Sequence, residues 1–469
     1  MRLTVRDLLK IPHREVRNRG AIPSGNLAGV STDTRTLRAG ELFVALRGDR
    51  HDGHEYVAAA AAGGAVAAIV DASFTPDVRE TLPLIVVDDC SRALGQLARV
   101  YRDRFTIPIL AVGGSNGKTT TKEMIACVLA TKYRVLSTEA NFNNHIGVPQ
   151  TILRLSPKDE CAVVETGTNH PGELARLCDI LAPTHALLTN IGREHLEFFG
   201  SVDGVAEEEG TLLESLRYTP GSVALVNADD ARVSGKAKSL KKTVTYGFAH
   251  RNAAVRGKAL TLDDAGCPGF EFTTPSMTRW IRLTLGIPGQ HNAMNALAAI
   301  AAGYALRVPA SGMRAALAGF RAASKRMETV HAGGTVILND TYNANPDSMI
   351  AALRTLAAAR GGGRKIAVLG DMRELGVHAA EGHRAVGREA AALGIDYVLT
   401  AGPQARLIAQ AAEGTTAIAY DEKNMLAEYL VGLIRPGDVV LVKGSRGMTM
   451  EDIVVFLLQR LGPTPDSRS

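Results

Sequence analysis

The sequence predicts an α/β protein of three domains: a small α/β domain over 1–87, a central P-loop-type domain with a mainly parallel sheet over 88–322, and a C-terminal Rossmann-like domain over 323–469. Three observations predict it. The chain has 469 residues, more than a single core sustains. A glycine-rich turn at 113–122 joins the apolar run Ile107–Val112 to a helical stretch, Thr119–Ala130. Beyond residue 323, strands near 335–339, 365–369, 396–400 and 438–442 alternate with helices near 346–359, 379–393, 422–434 and 449–461. That alternation is the pattern of a doubly wound sheet.

Taken in order, the first segment mixes short strands and turns with one alanine-rich helix. Val57–Val70 is interrupted by Gly63-Gly64 and reads as a helix followed by a strand, not as a membrane span. In the central segment, Ala162–Val164 and Ala186–Leu188 are further buried strands, each ending in polar residues. Ligands of open α/β sheets bind at that carboxyl edge. In the last segment Gly361–Gly363 reads as a loop, and 462–469 as a disordered tail.

The turn Gly113-Gly-Ser-Asn-Gly-Lys-Thr-Thr-Thr-Lys122 carries the clearest chemistry. Glycines at 114 and 117 let backbone N–H groups, including those of Ser115 and Asn116, close on phosphate oxygens at a helix N-terminus. Lys118 then reaches the outer phosphates, and the Thr119 hydroxyl sits on Mg²⁺. As a loop lysine, Lys118 is expected to add little to stability. A full P-loop pattern places glycine where this chain has Val112, so the loop is the short variant Gly-x-x-Gly-Lys-Thr.

Other polar clusters follow strands. Glu165 ends its strand beside the loop and suits Mg²⁺, which prefers hard oxygen ligands. His195, in Asn190–Glu197, is a second-metal or phosphate contact on the same edge. Asn292 and Asn295 stand i, i+3 on one helix face, able to hold a loop and a purine edge together, although taken alone Asn292 is better read as an N-cap. Asn339–Ser348 is dense in polar residues for a strand–helix junction, and Lys443-Gly-Ser-Arg446 could bind a carboxylate or cap the sheet edge. In the first domain Ser31, Asp33, Arg35 and His54 suit a phosphate-bearing ligand. A local Asp33–Arg35 salt bridge explains that pair equally well.

Composition narrows the class. Hydrophobic residues are 46% and charged residues 22%, ordinary for a globular protein. A net charge of +5 without Lys/Arg runs suits small anionic ligands better than nucleic acid. Five cysteines without metal-ligand spacing read as free thiols in a reducing compartment. The start Met1–Asp7 lacks the apolar core of a signal peptide, so the expected location is cytoplasmic.

Together these residues resemble the Mur ligases of peptidoglycan synthesis, from Val30 to Met450 and in the family's order. The short phosphate loop is common to the whole family. Asn141–Pro149, Asp340–Met349, Gly370–Gly376 and Lys443–Arg446 resemble the member that adds D-alanyl-D-alanine to a UDP-N-acetylmuramoyl tripeptide. The resemblance implies an ATP-dependent amide ligase working through an acyl phosphate, with ATP and Mg²⁺, no nucleic-acid partner, no membrane insertion, and a monomeric state. It implies that 1–87 binds the UDP-sugar peptide, 88–322 binds ATP, and 323–469 binds the incoming dipeptide. Residue by residue, Gly114–Thr120, Asn295, Arg326 and Asp340 would contact ATP. Thr119, Glu165 and His195 would serve the metals, with Lys118, Glu165 and His195 catalytic. Ser31, Asp33, Arg35, Asn144 and Thr166 would hold the UDP substrate, and Asn343, Asn345 and Arg446 the dipeptide.

One position departs from the pattern. Where the family has a lysine that is carbamylated and binds the second Mg²⁺, this chain has Glu209, in the run Glu207–Glu209. Glutamate supplies a permanent anion on a shorter stem. It is expected to reach the metal through a water or a local shift, with one of the three glutamates facing the site, since successive helical residues point about 100° apart. Two alternatives stay open: a sister ligase adding the third residue, and a non-ligase P-loop ATPase.

Overall fold

A computed structural model describes residues 3–22, 25–48, 51–75, 82–360 and 362–462. The tail 463–469 and the first glycine of the 361–363 loop lie outside these. Three sheets follow one another along the chain. The first contains β1 (Glu15–Arg17), β2 (Val30–Ser31), β3 (Leu42–Val44), β4 (Ala67–Asp71) and β5 (Leu84–Val87), in the order β1-β5-β4-β3-β2. Val57–Ala62 is helical and Ala67–Asp71 a strand, as the glycine interruption predicts.

The second sheet has nine strands: β6 (Ile109–Gly113), β7 (Val135–Ser137), β8 (Cys161–Glu165), β9 (His185–Leu188), β10 (Val223–Asn227), β11 (Thr243–Gly247), β12 (Val255–Leu262), β13 (Pro268–Thr273) and β14 (Ile281–Thr284). Their order is β14-β13-β12-β11-β10-β9-β6-β8-β7, parallel from β7 to β12 and antiparallel only in the β12–β14 arm. β6 is buried along its whole length between β8 and β9. That burial on both faces is why its residues read as an unbroken apolar run. The pairing Val112↔Glu165 and Gly113↔Leu188 brings the start of the phosphate loop, Glu165 and the chain after Leu188 to one edge.

The third sheet is β15 (Glu328–Ala332), β16 (Thr335–Asp340), β17 (Lys365–Gly370), β18 (Tyr397–Ala401), β19 (Thr416–Tyr420) and β20 (Val439–Lys443), ordered β15-β16-β20-β17-β18-β19. It is parallel except for the hairpin strand β15. Periodicity did not pick out β15 or β19, because both are edge strands with alternating or mostly half-exposed residues. The helix Pro346–Ala358 starts at the edge of β16. Asn345 caps it through a reciprocal box with Ser348, and Pro346 fits the first turn, where no N–H partner is needed. The mainly parallel centre and the Rossmann-like C-terminal sheet agree with the predicted fold class.

Among the described residues no helix is long and apolar enough to cross a membrane.

Candidate functional site

The phosphate loop and the polar edge of the C-terminal sheet meet across a cleft of about 840 Å³. Ser115 to Thr120, Glu165, Glu194, His195 and Asn295 line one side, and Arg326, Asp340, Tyr342, Asn343, Asn345, Ser445 and Arg446 the other. The loop glycines have defined reasons to be glycine. Gly114 has φ +108°, and a Cβ there would lie 2.4 Å from Thr189 Oγ1. Gly117 has φ +79°, with Asn295 Oδ1 2.8 Å from where its Cβ would be. Asn295 is thus packed under the loop, and its Nδ2 donates to Asn292 Oδ1 at 2.9 Å, while Asn292 Nδ2 donates to Pro288 O and the helix cap falls at Gln290.

Lys118 is not the loosely held loop side chain anticipated from its position. Its side chain is 16% exposed. Its Nζ donates to Gly114 O at 2.5 Å and to Glu194 Oε2 at 3.2 Å. Burial works against its charge, but the carboxylates of Glu194, Glu209 and Glu165 outweigh burial and hold its pKa above that of a free lysine.

Those three glutamates form the core of the site. Glu165 Oε1 accepts from Asn143 Nδ2 at 2.9 Å. Glu165 Oε2 is buried without a hydrogen-bond partner, and the neighbouring carboxyls of Glu194 and Glu209 hydrogen-bond to one another. Native structures seldom leave such a group unpaired, and Glu165, which lines the cleft, suits a further cation. Among the described residues no three of His, Cys, Asp and Glu converge closely enough to ligate a metal unaided. A Mg²⁺ held here would complete its shell with water and phosphate oxygens, as Mg²⁺ ordinarily does.

The run Glu207–Glu209 divides as helical geometry predicts. Glu207 pairs with Lys236 at 2.7 Å with its side chain 78% exposed. Glu208 accepts from the N–H groups of Gly172 and Leu174. Only Glu209 turns to the loop. It does not, however, line the cleft. Its Oε2 accepts the Gly114 N–H at 2.7 Å from beneath, which corrects the expectation that it extends to the metal. The short stem is captured by the nearest backbone donor. Burial pushes the Glu209 carboxyl up to about 8; Lys118 opposes that shift and Glu194 adds to it.

The two sides of the cleft are joined by direct contacts. Asp347, in the first turn of Pro346–Ala358, accepts the Arg193 N–H at 2.7 Å and the Arg193 guanidinium at 2.6 and 2.9 Å. Asn345 Nδ2 donates to Asn116 Oδ1 at 2.9 Å, tying the helix cap to the phosphate loop. His195, whose φ of +46° is left-handed, has Nδ1 2.6 Å from Glu374 Oε2 and Nε2 3.9 Å from Glu194 Oε2. The hydrogen bond from His195 holds the Glu374 carboxyl below the usual range.

On the C-terminal side the register Asp340↔Lys443 puts Lys443 Nζ 2.6 Å from Asp340 Oδ2, and the Met327 N–H occupies Oδ1. Lys443, read as a free carboxylate binder or cap, is therefore committed to Asp340. The Arg326 guanidinium lies 3.8 Å from the Tyr342 ring centroid and that of Arg446 5.5 Å from it, and both line this wall of the cleft together with Arg373. Asn343 Oδ1 accepts the Arg446 N–H.

The expected UDP-substrate set does not converge on this cleft. Asn144 lines it, but its Oδ1 also accepts the Ile146 and Gly147 N–H groups at the start of the helix Gly147–Leu153. Thr166 is fully buried and its hydroxyl donates to Val112 O, so it cannot touch a ligand; that expectation is corrected. Ser31, Asp33 and Arg35 stand outside the cleft lining. Their loop reaches the helix Gly147–Leu153 through Gln150 Nε2 to Thr32 Oγ1 at 2.9 Å. Arg35 pairs with Asp33 and lowers its carboxyl to about 2, so the local salt bridge is present. His54 is also occupied, with Nδ1 2.6 Å from Asp52 Oδ1 and Nε2 accepting the Asp71 N–H.

Sequence reasoning missed Glu194, Asn143, Glu374 and the bridging role of Asn116. Each lies within a polar run that had been singled out, or on the loop itself. None has a spacing that announces its partner.

Three family profiles match the chain: a Mur ligase family catalytic domain over 26–102, a Mur ligase middle domain over 112–303, and a Mur ligase glutamate ligase domain over 325–446. The chain is 37% identical to the UDP-N-acetylmuramoyl-tripeptide–D-alanyl-D-alanine ligase of Bacillus subtilis, covering 95% of this chain and 98% of that one. It is 38% identical to the Escherichia coli enzyme of the same name, covering 91% and 93%. A crystal structure of MurF from Acinetobacter baumannii superposes with a TM-score of 0.88 at 31% identity, covering 97% and 99% of the two chains. The MurF ligase of Thermotoga maritima, solved with ADP, gives 0.81 at 28% identity, covering 92% and 97%. This chain belongs to the Mur ligase family.

Proposed function

We propose that this chain is an ATP-dependent carbon–nitrogen ligase that joins D-alanyl-D-alanine to UDP-N-acetylmuramoyl-tripeptide in peptidoglycan precursor synthesis, yielding ADP and phosphate. The observation that carries the reading is one cleft in which a phosphate loop with buried carboxylates faces a second wall of cations from the C-terminal sheet. Near-full-length similarity to two ligases of that name supports the substrates. Residues 1–87 are assigned to the UDP-sugar peptide, 88–322 to ATP and 323–469 to the dipeptide. All three regions come from one chain, which supports a monomer, and use of ATP and a UDP-linked substrate supports a cytoplasmic enzyme.

The tripeptide carboxylate attacks the γ-phosphate of ATP, giving an acyl phosphate and ADP. The dipeptide amine then attacks the acyl carbon and phosphate leaves. The first step brings two anions together, so charge at the phosphoryl group decides the rate. Loop N–H groups and Lys118 hold the phosphate oxygens, and Arg326 and Arg446 bring positive charge from the other wall. The Arg193–Asp347 and Asn116–Asn345 contacts close the cleft against water, which would otherwise hydrolyse the acyl phosphate. Mg²⁺, held by Thr119 and Glu165 with His195 adjacent, would neutralise charge on the phosphate oxygens.

Phosphate release with the UDP-tripeptide and a panel of amines tests the reading. Release is expected only when the UDP-tripeptide and D-alanyl-D-alanine are both present. Equal turnover with single amino acids would identify a sister ligase, and release without any amine a plain ATPase.

A further inference from the structure

His383, in the helix Ala379–Ala392, is fully buried and does not line the cleft. Its Nδ1 lies 2.7 Å from Ala379 O, and its Nε2 accepts the Met372 N–H at 3.0 Å. A carbonyl oxygen only accepts, so Nδ1 carries the proton and Nε2 the lone pair, which fixes one neutral tautomer. Burial lowers the pKa of the ring below that of a free histidine; the Ala379 carbonyl and the Asp371 carboxylate oppose the shift without cancelling it. At neutral pH the imidazole is therefore a standing acceptor for one backbone donor.

That donor belongs to the turn between β17 and the helix. On one side the turn is laced to the chain after β20: the Ser445 N–H donates to Asp371 O at 3.0 Å, and the Arg373 N–H donates to Ser445 Oγ at 2.8 Å. On the other it reaches the central domain, where Glu374 O accepts the Glu197 N–H at 3.1 Å and Glu374 Oε2 lies 2.6 Å from His195 Nδ1. Arg373 and Glu374 both line the cleft. Glu374 has φ +62°, a left-handed backbone that a residue other than glycine keeps only where its surroundings impose it. Met372 and Leu375, both buried, anchor the turn before and after that residue. The group that holds the Met372 N–H is an imidazole and not a backbone carbonyl.

We infer that His383 is a positioning residue for the ligation: through the Met372 N–H it sets the turn that carries Arg373 and Glu374 to the cleft and joins Glu374 to the central domain. The inference rests on the reading of the cleft as the ligation site, with the incoming dipeptide on its C-terminal side. Without the bond the Met372 N–H is buried and unpaired, and the turn relaxes away from the left-handed backbone at Glu374. The Arg373 guanidinium moves with it. A displacement of about 1 Å in a positioning group lowers turnover by about 10²-fold.

Two substitutions in the full chain divide the two hydrogen bonds of the ring. His383→Gln places an amide oxygen near the Nε2 position and keeps an acceptor for Met372. His383→Asn places an amide nitrogen near the Nδ1 position, keeps the donor to Ala379 O and loses that acceptor. Both remove the ring, and melting temperature reads the packing loss in each. Phosphate release with the UDP-tripeptide and D-alanyl-D-alanine gives kcat and KM for the dipeptide, and calorimetric titration with ADP reports the phosphate loop. His383→Asn is expected to lower kcat/KM for the dipeptide by about tenfold or more, with ADP affinity unchanged. His383→Gln is expected to keep the kcat/KM of the parent.

Parent-like kcat/KM in His383→Asn would overturn the inference, as would an equal loss in the two variants, which marks packing and not the acceptor. A fall in ADP affinity alongside the fall in kcat/KM would mark general loosening and overturn it too. If His383→Asn does not fold, nitrogen-15 resonance of the parent decides, with His383→Gln assigning the signal: a neutral Nδ1–H ring at pH 7.5 supports the inference, and an Nε2–H or charged ring overturns it. If the parent releases no phosphate with the dipeptide, the reading of the cleft fails and takes the inference with it. Each of the other outcomes leaves that reading standing.

Discussion

Lys118→Ala separates two consequences of the same side chain. The ammonium donates to Gly114 O at 2.5 Å and to Glu194 at 3.2 Å, within a site that also contains Glu165 and Glu209. Deleting it leaves Glu194 buried beside like charges with no counter-ion. Removing one partner of a buried ion pair destabilises by about 3–5 kcal/mol, and proton uptake by the orphaned carboxyl limits the loss to the lower end, about 3 kcal/mol. The same deletion removes a preorganised donor to the transferring phosphoryl group, which lowers kcat by about 10²–10³-fold. The two effects separate in a double mutant. Lys118→Ala/Glu194→Gln carries no orphaned charge at that pair, so it should regain about 2 kcal/mol of stability over Lys118→Ala while turnover stays lost. Calorimetric or denaturant unfolding of the parent, both single variants and the double variant gives the coupling, and phosphate release gives kcat. If Lys118→Ala keeps more than about a tenth of the parent kcat, a loss under about 1.4 kcal/mol, the loop is not the catalytic phosphate site. Purely additive stabilities would refute the ion-pair argument.

Two further predictions concern the joined domains and the core. Asp347→Ala removes three hydrogen bonds to Arg193; both side chains are about one-third exposed, so screening reduces their sum to about 2 kcal/mol, or roughly thirtyfold in a closure equilibrium. Small-angle scattering with ADP should show a larger radius of gyration than the parent, and equal radii would count against this contact as a closing clasp. His185, at the start of β9, is buried, and burial lowers its pKa to about 4 from 6.5. A depressed folded-state pKa means this contribution is fully present above pH 6.5 and lost as pH falls from there toward 4, by up to about 3 kcal/mol. His185→Gln should flatten the stability profile in that window, and an unaltered slope would show that another group sets it.

The loop Gly114–Thr119 and the unbroken apolar runs were legible without coordinates because their chemistry is local. A parallel strand buried on both faces must be apolar throughout, and a phosphate turn needs glycine where no side chain can be accommodated. The alternating pattern after residue 323 likewise reports a sheet covered on both faces. Edge strands β15 and β19 were not legible, because strands exposed on one side do not carry that pattern. Residue roles depended on distance across the chain. Nothing near Glu194 in sequence says that its carboxylate meets Lys118, 76 positions earlier. Thr166 follows Glu165 directly, yet strand alternation points it into the β6 backbone. Glu209 appears from its position to be a substitute metal ligand. Its actual partner, the Gly114 N–H, is set by how far the helix Val202–Glu214 stands from β6, and that distance arises only when the core packs. Local residue chemistry specifies which groups a site contains; packing between elements distant in the chain decides which atoms remain free to act.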